Sequence, residues 1–265
     1  MAALTAAGDF EEMGALGRLD PVTDAAQGVD LLVIATPDDE VARVAAAVEP
    51  VDTTVVIHLS GSLDLGVLAG HARRGSLHPL MPLPNATVGA ERLRSGITFA
   101  VAGDWLTRDL AAALGGRTIE VSDQSRAAYH AAATIAGNHQ VALIGQVERV
   151  AASIGIPLDA FAGLVRAAAD DAFSLGPADA LTGPAVRGDW ATVERHRAVL
   201  ASLPGQRTEL AGYDAMVGLA RRLSLDEAVV RPSGLDEAGG TPAGVAPAGG
   251  SRPQPGGPVS VERVA

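Results

Sequence analysis

The amino-acid sequence predicts an α/β fold with a doubly wound parallel sheet, followed by an all-α domain. Short apolar runs of strand length alternate with helix-like segments as far as about residue 122, and such alternation is typical of parallel sheets with helices on both faces. From Ser122 onward, long segments keep helical spacing and none resembles a strand. The predicted domains are therefore residues 1–122 and 123–225, followed by a tail, 226–265.

The strands of the first domain are predicted from their apolar character. Residues 29–35 are apolar except for Asp30, which indicates a strand buried on both faces. Residues 39–49 carry apolar side chains three and four positions apart, which predicts a helix. Further strands are predicted at 11–16, 53–59, 74–77, 97–102 and 117–121, and further helices at 65–72 and 106–114.

The second domain is predicted from long periodic segments that end at glycine or proline. Helices are expected at 124–154, 158–175, 190–203 and 208–223. Asp189 is placed to cap the third of these. The tail is rich in proline and glycine with little apolar periodicity, so we expect it to be disordered.

Composition excludes several classes of function. The formal net charge is −11, which argues against a general nucleic-acid-binding surface. The sequence contains no Cys and no Lys, which excludes disulfides, thiolate metal sites and a catalytic lysine. No signal peptide opens the chain and its apolar runs are too short for a membrane span, so we expect a cytoplasmic protein without a membrane partner.

Three segments follow predicted strands and are candidates for ligand binding, because open parallel sheets bind ligands beyond the carboxyl ends of their strands. Small residues there let a flat ligand approach the backbone. Each segment could also be an ordinary turn in which a hydroxyl caps the next helix. The cofactor-binding candidates are Ala35, Thr36, Pro37, Ser60 and Gly61, and the substrate-binding candidates are Ser62, His78 and Pro79.

The glycine-rich phosphate loop of dinucleotide-binding folds is not found. Such folds begin with a strand, G-x-G-x-x-G and a helix, whereas residues 1–7 resemble the end of a helix and 11–16 the second strand. We therefore expect a sheet that lacks its first strand, with roughly 15–20 residues missing upstream. Arg18 follows the second strand, where an arginine can contact the 2′-phosphate of NADP; it could equally be a solvated surface residue.

Polar residues on the predicted helix 124–154 suggest chemistry. His130 and Asn138 differ by about 80° around a continuous helix and can share a broad face, and Thr134 lies four residues from Asn138. With no Lys or Cys, His130 is the candidate general acid, and Asn138 the candidate to orient a carbonyl. Thr134 and His139 are substrate-binding candidates. Either histidine could instead be a core residue, and no H-x-x-x-H metal pattern is present.

The segment 181–189 contains a tight turn at Thr182 and Gly183. Arg187 follows it, and its planar fork could clamp a substrate carboxylate. The alternative is a turn and helix cap in which Arg187 pairs with an acid.

The sequence resembles proteins that join a Rossmann-like domain to a C-terminal domain of unknown function, DUF2520. The resemblance rests on four segments: Ser76–Leu80, Tyr129–Ala133, Asn138-His139 and Ala180–Asp189. That family is similar in plan to ketopantoate reductase, pyrroline-5-carboxylate reductase, the β-hydroxyacid dehydrogenases and 6-phosphogluconate dehydrogenase-like reductases. The resemblance implies reduction of a small keto acid or imine with NADP or NAD, ketopantoate being the first candidate, and a homodimer formed through the helical domain. Related reductases place a lysine where this chain has Thr134, whereas Asn138 fits their asparagine.

The sequence leaves three functions open. The first is an NAD(P)-dependent reductase. The second is a non-catalytic protein that binds a dinucleotide or metabolite and regulates a pathway. The third is an inactive, truncated copy, because loss of a central strand exposes apolar edges.

Overall fold

The computed structural model describes residues 10–203, 207–225 and 259–264. Two compact units divide the chain. The described residues of the first are 10–139 and 259–264, and those of the second are 140–203 and 207–225. The division after His139 differs from the predicted boundary at residue 122, because the helix Arg126–Thr134 belongs to the same unit as the sheet.

The first unit contains a seven-stranded sheet in the described part of the chain. Its strands are β1 (Phe10–Leu16), β2 (Leu31–Ile34), β3 (Val55–His58), β4 (Arg73–Pro79), β5 (Thr98–Gly103), β6 (Arg117–Glu120) and β7 (Val259–Val264). Its helices are α1 (Asp38–Ala47), α2 (Ala86–Leu93), α3 (Leu106–Ala113) and α4 (Arg126–Thr134), with 3₁₀ turns at Leu65–Leu68 and Asp123–Ser125. The first six strands confirm the predicted ones, whereas α2 was not predicted.

The strand order is β1-β7-β2-β3-β4-β5-β6, and the pairings are parallel except for β4 with β5. The predicted doubly wound parallel sheet is therefore confirmed, with one antiparallel pairing. The reason for that pairing is the link after β4, which does not cross back over the sheet: Leu80 N donates to Thr98 O at 2.9 Å, so β5 starts where β4 ends.

Strand β7 lies inside the sheet, second from one edge, and pairs in parallel with both β1 and β2. Two predictions are thereby corrected: a strand does follow residue 121, and residues 259–264 of the tail are ordered in the sheet. The segment fits between β1 and β2 because Val261 packs in the core on one face of the sheet and Val264 in the core on the other. Val261 is 0% and Val264 2% exposed.

A side-chain contact fixes the register of β7. Asp30 Oδ2 accepts hydrogen bonds from Ser260 N at 2.9 Å and from Ser260 Oγ at 2.7 Å. Asp30 N in turn donates to Ser260 O at 3.0 Å. A slip of one residue would break these bonds and turn Val261 to the other face of the sheet.

Apolar side chains cover both faces of the sheet, as expected for strands that read as continuous apolar runs. One face carries Leu31, Val55 and Ile57 with the buried residues of α3. The other carries Leu32, Val56 and Leu68 with those of α1.

The second unit is helical in the residues described, as predicted. Its helices are α5 (Gln140–Ala152), α6 (Ala162–Ser174), α7 (Pro177–Ala180), α8 (Trp190–Ser202) and α9 (Arg207–Leu225). Asp189 caps α8 as predicted, its Oδ1 accepting from Thr192 N at 3.1 Å. Ion pairs of Arg149 with Glu209 and of Arg197 with Asp214 join α9 to α5 and α8.

The predicted helix 124–154 is not continuous. A 3₁₀ turn precedes α4, and a π-helical turn, Ile135–His139, separates α4 from α5. A π turn carries more residues per turn than an α-helix, so the predicted shared face of His130 and Asn138 no longer follows from α-helical geometry. The predicted helix end at 1–7 and the tail residues 226–258 lie outside the described residues. In the part of the chain that is described, no helix has the length and apolar character of a membrane span.

Candidate active site

The candidate site lies at the carboxyl edge of β2, β3 and β4. These strands are adjacent and parallel, so the three segments that the sequence singled out lie side by side. Asp38 links two of them, since its Oδ2 accepts from Ser60 Oγ and from Ser62 Oγ at 2.7 Å each. Partial burial raises the pKa of Asp38, but the two hydroxyls and the nearby His130 and His58 outweigh it and hold the pKa below its ordinary value.

Two imidazoles converge on Gly61. A Cβ placed on Gly61 would lie 2.8 Å from His78 Nε2 and 2.9 Å from His130 Nδ1. The rings themselves meet edge to face with centroids 6.3 Å apart. Any larger residue at position 61 would push one of the rings away. With glycine there, the loop after β3 can lie close to both ring nitrogens.

Tyr129 forms a close contact with the first of these rings. Its hydroxyl lies 2.6 Å from His78 Nδ1, and the two rings are perpendicular. Both side chains are half-buried. His130 Nδ1, by contrast, is buried with no hydrogen-bond partner among the described residues.

Arg126 lies beneath this group and is 2% exposed. Its Nη2 donates to Ser76 Oγ, while its Nε and Nη1 have no hydrogen-bond partner in the described part of the chain. Burial lowers the pKa of Arg126, opposed by the charges of Asp123, Tyr129 and Asp64. The positive charge of Arg126 lowers the pKa of both His58 and His78.

His58 ends β3 and is paired in register with Ser76. The imidazole is fully buried. Burial first, and then the charge of Arg126, lower the pKa of His58 to about 4. His58 is therefore neutral at physiological pH.

Sequence reasoning missed Arg126 and His58 as site residues, and it quoted Asp38 and Tyr129 only within segments. One signal was available: Arg126, Tyr129 and His130 are spaced three and four residues apart, so they share a face of α4. The pairing of that face with β4 depends on tertiary packing, which no local pattern reveals.

The remaining predicted residues are distributed as follows. Thr36 Oγ1 is buried at the end of β2 with no hydrogen-bond partner among the described residues, and Ala35 N donates to Val264 O. Arg18 is exposed in the turn after β1. Thr134 ends α4, and Asn138 and His139 are exposed in the π-helical turn. The structure gives none of these last three a contact with the imidazole pair.

Thr182, Gly183 and Arg187 belong to the second unit. Arg187 is exposed, and its backbone N donates to Gly183 O at 3.2 Å, which confirms the predicted tight turn. Their role toward a substrate stays a prediction.

A dinucleotide fits one half of this edge. The small residues Ala35 and Gly61 leave the backbone accessible, and the unpartnered Thr36 Oγ1 offers a hydrogen bond at the end of β2. Among the described residues no glycine-rich loop follows a strand to hold the pyrophosphate.

Comparison with known proteins finds a family model that matches part of the chain, from β5 into α9. Residues 97–219 match the family model described as "Domain of unknown function (DUF2520)", so the resemblance predicted from the sequence is confirmed. No curated protein matches the sequence.

Solved structures share the fold. A protein of Thermotoga maritima is 27% identical, with a TM-score of 0.62 over 74% of this chain and 78% of that one. A reductive aminase from Aspergillus terreus, solved with NADPH and ethyl-5-oxohexanoate, has 14% identity and a TM-score of 0.59 over 84% of this chain and 93% of its own. A pyrroline carboxylate reductase from Plasmodium falciparum with NADP bound has 11% identity and a TM-score of 0.51 over 84% and 92%. The architecture is thus the Rossmann-like one with a helical region.

Proposed function

We propose that this protein is an NAD(P)-dependent reductase of a carbonyl or imine group in a small molecule. The observation that carries the proposal is the convergence of two imidazoles on Gly61 at the carboxyl edge of a Rossmann-like sheet. Solved structures of this fold include reductases described with NADPH or NADP bound. Among substrates, a keto acid such as ketopantoate is the first to test.

The cofactor would lie along the ends of β2 and β3. Ala35, Thr36 and Pro37 would contact it from one side, and Ser60 and Gly61 from the other. Arg18, in the turn after β1, would meet a 2′-phosphate and so favour NADP over NAD, because a guanidinium matches phosphate oxygens well.

The cofactor, when bound, supplies a hydride to the substrate carbon. The chain must then supply a proton to the oxygen or nitrogen that was reduced. His130 is the general acid that the sequence predicts, and His78 lies beside it at the same glycine. Asn138 would orient the carbonyl.

In the first unit, substrate would be held above the ends of β3 and β4, where Ser62, His78 and Pro79 line the edge. Thr134 and His139 are further candidate substrate-binding residues of this unit. In the second unit the candidates are Thr182, Gly183 and Arg187, with Arg187 proposed to bind a carboxylate.

We further propose a homodimer formed through the helical region. The second unit exposes large apolar side chains, including Phe173, which is 92% exposed. Burial of such side chains in a subunit interface would remove them from water.

The test is binding followed by turnover. NADPH and NADH are titrated against the full chain by nicotinamide fluorescence, and a panel of keto acids and cyclic imines is then screened for NADPH oxidation. Binding together with oxidation of NADPH on one substrate class is the expected result. Binding without turnover across the panel would instead support a non-catalytic dinucleotide-binding protein.

A matched pair of variants places the site. Thr36→Val removes the unpartnered hydroxyl and keeps the side-chain shape, and we expect weaker NADPH binding. Thr87→Val makes the same change on α2 and serves as the control. Equal affinity in both variants would remove the β2 end from the cofactor site.

A further inference from the structure

We propose that Tyr129 and His78 form a proton relay that delivers the proton to the reduced oxygen or nitrogen of the substrate. His78 is the catalytic residue of this pair and Tyr129 acts through it. The proposal rests on the reductase function proposed above and assigns its proton donor to His78 in place of His130.

The two nitrogens of His78 have different surroundings. Nδ1 lies 2.6 Å from the Tyr129 hydroxyl, whereas Nε2 points at Gly61 on the ligand-binding edge and has no hydrogen-bond partner among the described residues. In the proposed relay the phenol O–H donates to Nδ1, which places the proton of the neutral imidazole on Nε2. That proton then lies on the side of the ring that faces Gly61.

A neutral imidazole can release its Nε2 proton only if Nδ1 receives one at the same time. Tyr129 is placed to supply that proton. His130 turns its Nδ1 toward the same glycine, and that nitrogen is buried without a partner among the described residues.

The surrounding charges favour this direction of transfer. Burial lowers the pKa of His78, and the charges of His130 and Arg126 lower it further, against Asp38 on α1, which raises it. An imidazolium is thereby disfavoured as the resting acid. Burial raises the pKa of Tyr129, but Arg126 opposes this and stabilises the tyrosinate that the transfer leaves.

The step balances in protons and electrons. The substrate carbon receives the hydride of a reduced nicotinamide, its C=O or C=N π bond breaks, and the oxygen or nitrogen takes the Nε2 proton of His78. Nδ1 takes the hydroxyl proton of Tyr129, so the imidazole stays neutral and a tyrosinate remains near Arg126. Nδ1 then returns its proton to the tyrosinate while a water molecule protonates Nε2, which restores the starting tautomer of His78 and the neutral Tyr129.

The chain contains its own matched control. Its only other tyrosine, Tyr213, lies 2.8 Å from Nδ1 of His196 with the rings again edge to face. That pair is in the second unit and is not assigned a role. Tyr213→Phe therefore makes the same chemical change as Tyr129→Phe outside the proposed site.

The first experiment needs neither cofactor nor substrate. ¹⁵N spectra of histidine-labelled full chain report the tautomer of each ring, and Tyr129→Phe identifies His78 by the shift it causes. We expect His78 with its proton on Nε2, and a shift in Tyr129→Phe that Tyr213→Phe does not cause. A proton on Nδ1 would overturn the relay, because His78 would then be donating to Tyr129.

The second experiment is the pH profile of NADPH oxidation with the substrate that the panel identifies. In the wild type, kcat should stay level through neutral pH and fall only as Tyr129 ionises above its ordinary pKa. Tyr129→Phe must use the imidazolium of His78, so its kcat should fall as pH rises through the lowered pKa of that ring. We expect about a 100-fold loss at neutral pH with little change in KM, the size typical of general acid catalysis.

Variants separate the relay from the alternatives. His78→Gln should lose as much as Tyr129→Phe, and the double variant no more, because the two residues act as one unit. Wild-type turnover in Tyr129→Phe, or a loss confined to His130→Gln, overturns the relay and leaves the reductase proposal standing. No turnover with any substrate overturns both.

Discussion

Replacing Val261 by alanine should lower the free energy of unfolding, because β7 buries this side chain completely. The side chain is fully buried in the sheet core with Leu31 and Ile57. Two methyl groups are lost, at about 0.8 kcal/mol each, and the cavity raises the total to about 2–3 kcal/mol. For a chain of this size the melting temperature should fall by roughly 4–12 °C.

The assay is thermal and urea unfolding of the full chain, followed by circular dichroism. Val141→Ala is the control, since Val141 is 69% exposed on α5, and exposed substitutions usually change stability by less than about 0.5 kcal/mol. Equal stability of the two variants would show that residues 259–264 do not lie in the sheet, and the corrected strand order would then be wrong.

Three other outcomes are expected. Gly61→Ala should lower the free energy of unfolding by about 1–3 kcal/mol because its Cβ meets both imidazoles, whereas Gly70→Ala, with nothing within 4 Å, should not; equal melting temperatures would contradict the convergence. In the unfolded state His58 takes up a proton below about pH 6.5. In the folded state it does so only near its lowered pKa of about 4. Stability should therefore fall by about 2 kcal/mol from pH 7 to pH 5, and His58→Gln should lose this part of the slope in urea unfolding; an unchanged slope would exclude a buried, neutral His58. Phe173→Glu should convert a dimer to a monomer in light scattering, and a wild type that is already monomeric would refute the proposed interface.

The sequence was sufficient for elements whose structure is local. Continuous apolar runs predicted β2 and β3, and three-to-four spacing predicted α1, because side-chain burial follows directly from those patterns. The carboxyl edge was predicted as well, since adjacent parallel strands must end together.

Other features depend on partners far away in the chain. Residues 259–264 form a strand because they pair with β1 on one side and β2 on the other. The sequence of this six-residue segment, which follows a proline- and glycine-rich stretch, does not indicate those distant partners. The π-helical turn at 135–139 likewise has no sequence signal that periodicity detects. Arg126 was missed because a lone arginine on a helix is usually solvated, and its burial against Ser76 comes from packing.

The interior place of β7, between β1 and β2, also affects how the protein folds during synthesis. Asp30 and Ser260 are 230 residues apart in the chain, so at roughly 5–20 residues per second the ribosome completes β7 roughly 10–50 s after β2. During that interval the apolar edges of β1 and β2 have no strand between them, and unpaired edges are sites of aggregation. Contacts at such a large sequence separation also slow folding. We therefore expect the yield of folded protein to depend on chaperones that shield nascent chains.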